Sequence, residues 1–276
     1  MRDLTQRASL SYDLAVNGWY KESIAHLLPA WVFVSIFNRF YAERAYVYQD
    51  ASRWWITDED TDPEIALPKA MTAVRFSQKR IADQLQTVRD KYELEGFVEV
   101  EPGDIVVDVG AFIGEFTVSV ASQAERVLAF EPDPLNYSGL KHTTEKFENV
   151  RVREDLLWNE TDTISFSVAT DGSESGVSTP DCGKSSFYQE KTAKRLDTII
   201  SCPIDFVKVE AEGAEWEVLA GFGDLAVSKI AVDCSEPSPT NGSTPERRIQ
   251  DTLQDRGYET KIVEKDIHGT MLFARK

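Results

Sequence analysis

Apolar and polar positions change their rhythm once along this sequence. From Gly103 onward, short β-branched runs alternate with stretches of helical spacing, the order that repeated strand–helix units require. Before that point, residues 1 to about 100 read as mainly helical and rich in aromatics. The change falls at Glu101-Pro102-Gly103, where two turn residues precede Asp104 and the run Ile105-Val106-Val107. So continuous an apolar run suits a strand buried on both faces. Core strands are expected at 105–110, 126–131, 150–154, 206–211 and 229–234, with a pair at 258–264 and 270–275 closing the sheet. Helices fill the gaps, except between the third and fourth strands, where the spacing is too long for one helix. There, 161–169 and 185–196 add strands around a Gly/Ser-rich loop at 171–186 that reads as a lid. The expectation is a helical N-terminal region, 1–100, and a doubly wound α/β domain, 101–276, whose mostly parallel sheet ends in an antiparallel hairpin.

The apolar stretch from Ile24 to Phe37, with Trp31, Phe33 and Phe37, is too short to span a bilayer. Its first reading is a helix packed on the α/β domain or on another subunit. A second is peripheral membrane contact through residues 24–40, where Lys21 and Arg39 flank the aromatics. The N-terminus has no basic start, apolar stretch and cleavage site of a secretory signal, so a cytoplasmic protein is expected. The three cysteines, Cys182, Cys202 and Cys234, are widely separated and suggest neither disulfides nor zinc. A formal charge of -17 disfavours nucleic acid as a partner, because a phosphate backbone would be repelled. The same acidity suits a salty cytoplasm, where screening weakens repulsion between carboxylates.

The strongest chemical signal is Asp108-Val109-Gly110-Ala111-Phe112-Ile113-Gly114, placed after strand 105–107 and opening a helix at Glu115. Gly110 lets the backbone turn sharply, and Gly114 removes a side chain at a close approach. Glu131 ends the next strand, 21 residues after Gly110, where a carboxylate accepts hydrogen bonds from both hydroxyls of an adenosine ribose. A dinucleotide turn has glycine where this one has Asp108. A carboxylate there disfavours a pyrophosphate and favours the ammonium and sulfonium charges of S-adenosylmethionine.

With these features the sequence resembles the FkbM family of S-adenosylmethionine-dependent methyltransferases. The family pattern appears as Asp108 to Gly114, Phe130-Glu131-Pro132-Asp133-Pro134, Leu196-Asp197, Lys208 to Glu215, and Glu236. Glu210 stands where the family usually has Asp. The resemblance implies a class I methyltransferase fold in which Asp108, Gly110, Ala111, Phe112, Gly114 and Glu131 hold the cofactor, with Asp155 beside the adenine.

At the reaction end, Lys208, Glu210 and Glu212 alternate with apolar residues, which puts all three on one face of a strand. Glu212 is the expected base or acceptor-orienting group, tuned by Lys208, with Glu210 and Glu236 near the same crevice. No HxxE, HxH or DxD cluster local to these carboxylates points to a metal. His26, His142 and His268 are solitary and stay outside the catalytic set. FkbM-like enzymes commonly methylate oxygen on polyketides, sugars and glycans. The resemblance therefore implies an oxygen acceptor, read here as a sugar or glycan, free or lipid- or nucleotide-linked. The alternatives are a nicotinamide-dependent sugar-modifying oxidoreductase and a non-catalytic nucleotide-binding module. The oligomeric state is not legible.

Overall fold

The computed structural model describes residues 29–41, 45–50, 53–58, 64–76, 79–169, 176–177, 186–235, 245–265 and 269–276. The N-terminal region holds α1 (Ala30–Tyr41), β1 (Tyr46–Asp50), β2 (Arg53–Thr57), β3 (Ile65–Leu67), a 3-10 turn at Ala70–Phe76, and α2 (Ile81–Tyr92). It is therefore not helical throughout, because β1, β2 and β3 form an antiparallel sheet. Val47 and Ile56 sit opposite each other on its buried face. Strands of five residues or fewer carry too few alternations to stand out beside the helical spacing on either side. Asn38 of α1 closes the outer edge. Its amide donates to the Val47 carbonyl at 2.7 Å and its oxygen accepts from the Val47 N–H at 2.8 Å, satisfying groups an edge strand leaves open.

The α/β part follows as β4 (Ile105–Val109), α3 (Glu115–Ala121), β5 (Arg126–Phe130), α4 (Pro134–Thr143) and β6 (Val150–Arg153). Asp133 caps α4 by accepting from the Leu135 and Asn136 amides, and Pro134 occupies the first helical turn. Next come β7 (Leu156–Leu157), β8 (Asp162–Ala169), β9 (Gly176–Val177) and β10 (Ser186–Lys194), a separate sheet in the order β7-β10-β8-β9. A 3-10 turn at Leu196–Thr198 leads to β11 (Ile204–Val209), α5 (Glu215–Ala220), β12 (Val227–Asp233), α6 (Glu246–Asp255), β13 (Glu259–Lys265) and β14 (Gly269–Arg275). Most of the lid expected at 171–186 lies outside the described residues.

The main sheet has seven strands in the order β6-β5-β4-β11-β12-β14-β13. Strands β6 to β12 pair in parallel, and β14 runs antiparallel to both neighbours. Each main-sheet strand begins and ends within two residues of its expected position. Chain order reverses between β4 and β11. In open α/β sheets, ligands bind in the crevice that such a switch point forms at the carboxyl ends of the strands.

The N-terminal region shares its core with this layer. Phe33, Phe37, Val47, Ile56 and Ile81 pack with Ile113 and Val118, which flank the start of α3. Strand β3 lies on α4, and the Ala66 amide donates to the buried Thr143 hydroxyl at 2.9 Å. The composition change near residue 101 thus marks no gap between the two parts.

Candidate methyl-transfer site

The turn after β4 is built on left-handed backbone. Gly110, Phe112 and Gly114 have φ of 71°, 51° and 94°. The Gly110 and Ala111 amides donate to the Phe130 carbonyl at 2.9 and 3.0 Å, fixing the turn to the end of β5. A Cβ on Gly110 would lie 1.8 Å from the carbonyl oxygen of Glu210, so only glycine fits. Phe112, in a conformation bulky residues seldom adopt, is held because its amide donates to Glu131 at 2.8 Å. The Arg75 guanidinium also covers its ring, 4.9 Å from the centroid. The second Glu131 oxygen accepts from the Asp133 amide at 2.9 Å. Burial pushes the Glu131 carboxyl up to about 8, against the pull of those two amides. Each carboxylate oxygen retains capacity for a further donor.

Beneath the turn, charged side chains alternate in sign. Asp108 is fully buried, takes the Thr117 hydroxyl at 2.6 Å and faces the Lys208 ammonium at 3.1 Å. Its carboxylate is therefore directed into the protein, not into the open crevice as the sequence suggested. A residue at the end of a central strand has a side chain on one face only, and that face is occupied by α3 and Lys208. Lys208 also donates to the Val109 and Gly110 carbonyls and lies 3.4 Å from Glu210. Burial works against its charge, but Asp108 and Glu210 outweigh burial and hold the ammonium above its ordinary value. Glu210 is likewise opposed by burial, yet Lys208 and Lys91 hold it well below the usual carboxylate range.

Glu212 does not continue the face shared by Lys208 and Glu210, because β11 ends at Val209 and Glu212 has φ of 50°. It sits half-buried in the turn 211–214, and the ion pairs of Lys208 are made to Asp108 and Glu210. The turn is organised by Glu215, whose Oε1 accepts from the Ala211 and Gly213 amides at 2.9 and 3.1 Å. Burial raises the Glu215 carboxyl to about 7. Glu236 lies outside the described residues, as do His26, His268 and Cys182. Asp155 is taken by Arg153 at 2.5 Å and Lys194 at 2.7 Å, which ties β6 to β10. His142 is on α4 with its Nδ1 at the Ser138 carbonyl. Among the described residues no group of three or more His, Cys, Asp or Glu side chains is placed to hold a metal ion.

Sequence reasoning missed Lys91, Asp233, Arg75 and Gln84. Lys91 pairs with both Glu210 and Asp233, while Arg75 and Gln84 each hold one oxygen of Glu115 at 3.1 Å. Asp233 had a usable signal, an acid closing an apolar strand as Glu131 does. Lys91, Arg75 and Gln84 belong to no motif or spacing that singles them out.

The strand order with its single reversed strand β14, and a glycine turn followed by an acid at the next strand end, define a class I methyltransferase. The model of the "Methyltransferase FkbM domain" matches residues 108–260, and the chain belongs to this family of S-adenosylmethionine-dependent enzymes. No curated protein matches the sequence. Among solved structures, the chain is similar to an FkbM methyltransferase from Methylobacillus flagellatus KT, at 18% identity and a TM-score of 0.49. The match covers 70% of this chain and 50% of that one, so this chain spans about half the length of that relative. It is also similar to M. jannaschii TYW2 in complex with AdoMet, at 15% identity and a TM-score of 0.42, over 84% and 86% of the two chains. A putative methyltransferase from Streptococcus mutans in complex with SAH matches at 9% identity and a TM-score of 0.43, over 70% and 97%. No membrane-spanning helix is present among the described residues. Family membership replaces the nicotinamide alternative.

Proposed function

We propose that the enzyme methylates an oxygen of a sugar or glycan, and that the crevice between β4 and β11 is where donor and acceptor meet. The observation that carries the donor half is Glu131, a buried carboxylate beside the Phe112 amide with lone pairs left for two hydroxyl donors. That donor set fits a ribose, and the Cβ-free backbone at Gly110 leaves room along the turn. S-adenosylmethionine, when bound, supplies an electrophilic methyl group.

The chain's own residues do the rest. Glu131 takes the ribose hydroxyls, and the turn from Asp108 through Gly110, Ala111 and Phe112 to Gly114 shapes the floor. Asp108 acts by fixing Lys208 and Thr117. Glu212, half-buried in the turn after β11, accepts the proton of the acceptor hydroxyl, or orients that hydroxyl. Alignment supplies much of the rate in such a transfer, and a base adds about 10²–10⁴-fold. The sugar acceptor is supported by the FkbM resemblance.

Isothermal titration with S-adenosylmethionine and S-adenosylhomocysteine tests the donor. Labelled methyl donor with cell-derived glycan precursors tests the acceptor. Label found only in protein or nucleic acid would reject the sugar reading. Helix α1 buries Phe33 and Phe37 but leaves Trp31 70% exposed and Phe40 54% exposed, which favours peripheral bilayer contact as an accessory property. Liposome co-sedimentation of a Trp31→Ala, Phe40→Ala double variant tests it, equal pelleting with wild type being the negative result.

A further inference from the structure

Lys91 lies on the last turn of α2, outside the segment matched by the family model. Its ammonium is inserted between carboxylates from two neighbouring strand ends, 2.5 Å from Glu210 Oε1 and 2.7 Å from Asp233 Oδ2. The other oxygen of Glu210 faces Lys208, which donates to the Val109 and Gly110 carbonyls. An unbroken series of charged contacts therefore runs from α2 to the glycine turn, by way of Lys91, Glu210, Lys208 and Gly110.

We propose that Lys91 is a positioning residue for methyl transfer: through Glu210 and Lys208 it fixes the glycine turn, and with Asp233 it sets the charge under the crevice. The formal count supports a role in charge as well as in packing. Asp108, Glu210 and Asp233 are three carboxylates served by two ammoniums, Lys91 and Lys208, leaving one net negative charge near the place proposed for a cationic donor. Without Lys91, Glu210 and Asp233 are two like charges with no cation between them, and their repulsion draws Glu210 away from its place beside Lys208. Glu210 would then hold Lys208 less firmly, and the turn would lose a tether. Tyr92 under both lysines and Arg75 across the turn complete the groups around Glu210.

The inference rests on the donor site proposed above, and its test separates the two. S-adenosylhomocysteine and S-adenosylmethionine binding are titrated for the full chain, Lys91→Met, Lys91→Arg and Lys265→Met. Lys265 donates to the Asp90 and Glu93 carbonyls at the end of the same helix without touching the carboxylate pair. The expected result is a loss of about ten-fold or more in Lys91→Met, the scale of one charge-assisted hydrogen bond, with Lys91→Arg restoring most of it. Lys265→Met stays near wild type. Equal binding by wild type and Lys91→Met overturns the proposal alone, and equal weakening in Lys91→Met and Lys265→Met overturns it as mere helix anchoring. Failure of wild type to bind either ligand overturns the donor site and this inference with it. If Lys91→Met does not fold, Lys91→Gln is judged by the same criteria.

Discussion

The backbone of Gly110 touches the backbone of Glu210 so closely that a single added carbon would lie 1.8 Å from the Glu210 carbonyl oxygen. Two neighbouring strand ends are thereby brought together with no side chain between them. Gly110→Ala must displace one of them as well as adopt a φ of 71°. It is expected to abolish donor binding and to destabilise the fold by about 3 kcal/mol or more. Gly103→Ala, also at positive φ but with nothing near its Cβ, should cost only about 1–2 kcal/mol and leave binding intact. Calorimetric melting and donor titration of the two variants check the contrast.

The donor site proposed at Glu131 predicts that binding depends on pH. Its carboxyl is raised from 4.5 to about 8, so near neutrality much of it carries a proton, whereas hydroxyl donors favour the ionised form. Affinity should rise from pH 6.5 to 8.5 with proton release, seen as a dependence of the binding enthalpy on buffer ionisation. Glu131→Gln should bind about ten- to a hundred-fold more weakly, without that pH dependence.

The same shifts set a slope in stability. Glu131 and Glu215, raised to about 8 and about 7, keep protons that the unfolded chain has already released above pH 4.5. The folded state binds more protons in that window, so stability falls as pH rises through it. The melting temperature without donor should decline from pH 5.5 to 8.5, and less steeply in Glu131→Gln. A rising curve would contradict the assignment.

Glu215 anchors the turn that carries Glu212 through one oxygen. Glu215→Ala leaves the Ala211 and Gly213 amides without their acceptor and should lower turnover more than donor affinity. Glu215→Gln keeps an acceptor and should retain most activity. Turnover equal to wild type in Glu212→Gln would remove Glu212 from the mechanism.

A formal charge of -17 implies self-repulsion that salt screens. The melting temperature should climb with KCl concentration, and a flat or falling curve would set salt adaptation aside.

The centre of the main sheet was legible because β4, β11 and β12 carry apolar runs that are largely buried, with Gly103, Pro132 and Pro134 as punctuation. The turn at 108–114 and Glu131 were legible because close backbone approach restricts the residue types that fit. The direction of Asp108 was not, since pattern cannot say whether a strand-end acid faces a ligand or a buried lysine. Glu212 was misplaced on a strand face because alternation in sequence persists after β11 ends at Val209. The sheet at 46–67 and the role of Lys91 depend on contacts between distant segments, which leave no local period.

The core shared by Phe33, Phe37 and Ile56 with Ile113 and Val118 limits how this enzyme can be shortened. A fragment starting at residue 101 would keep the whole family signature, yet it would uncover Ile113 and Val118 beside the glycine turn and lose Lys91. The described part of the N-terminal region is packed into the same core as the start of α3, so swapping it between relatives would mean rebuilding that core along with it.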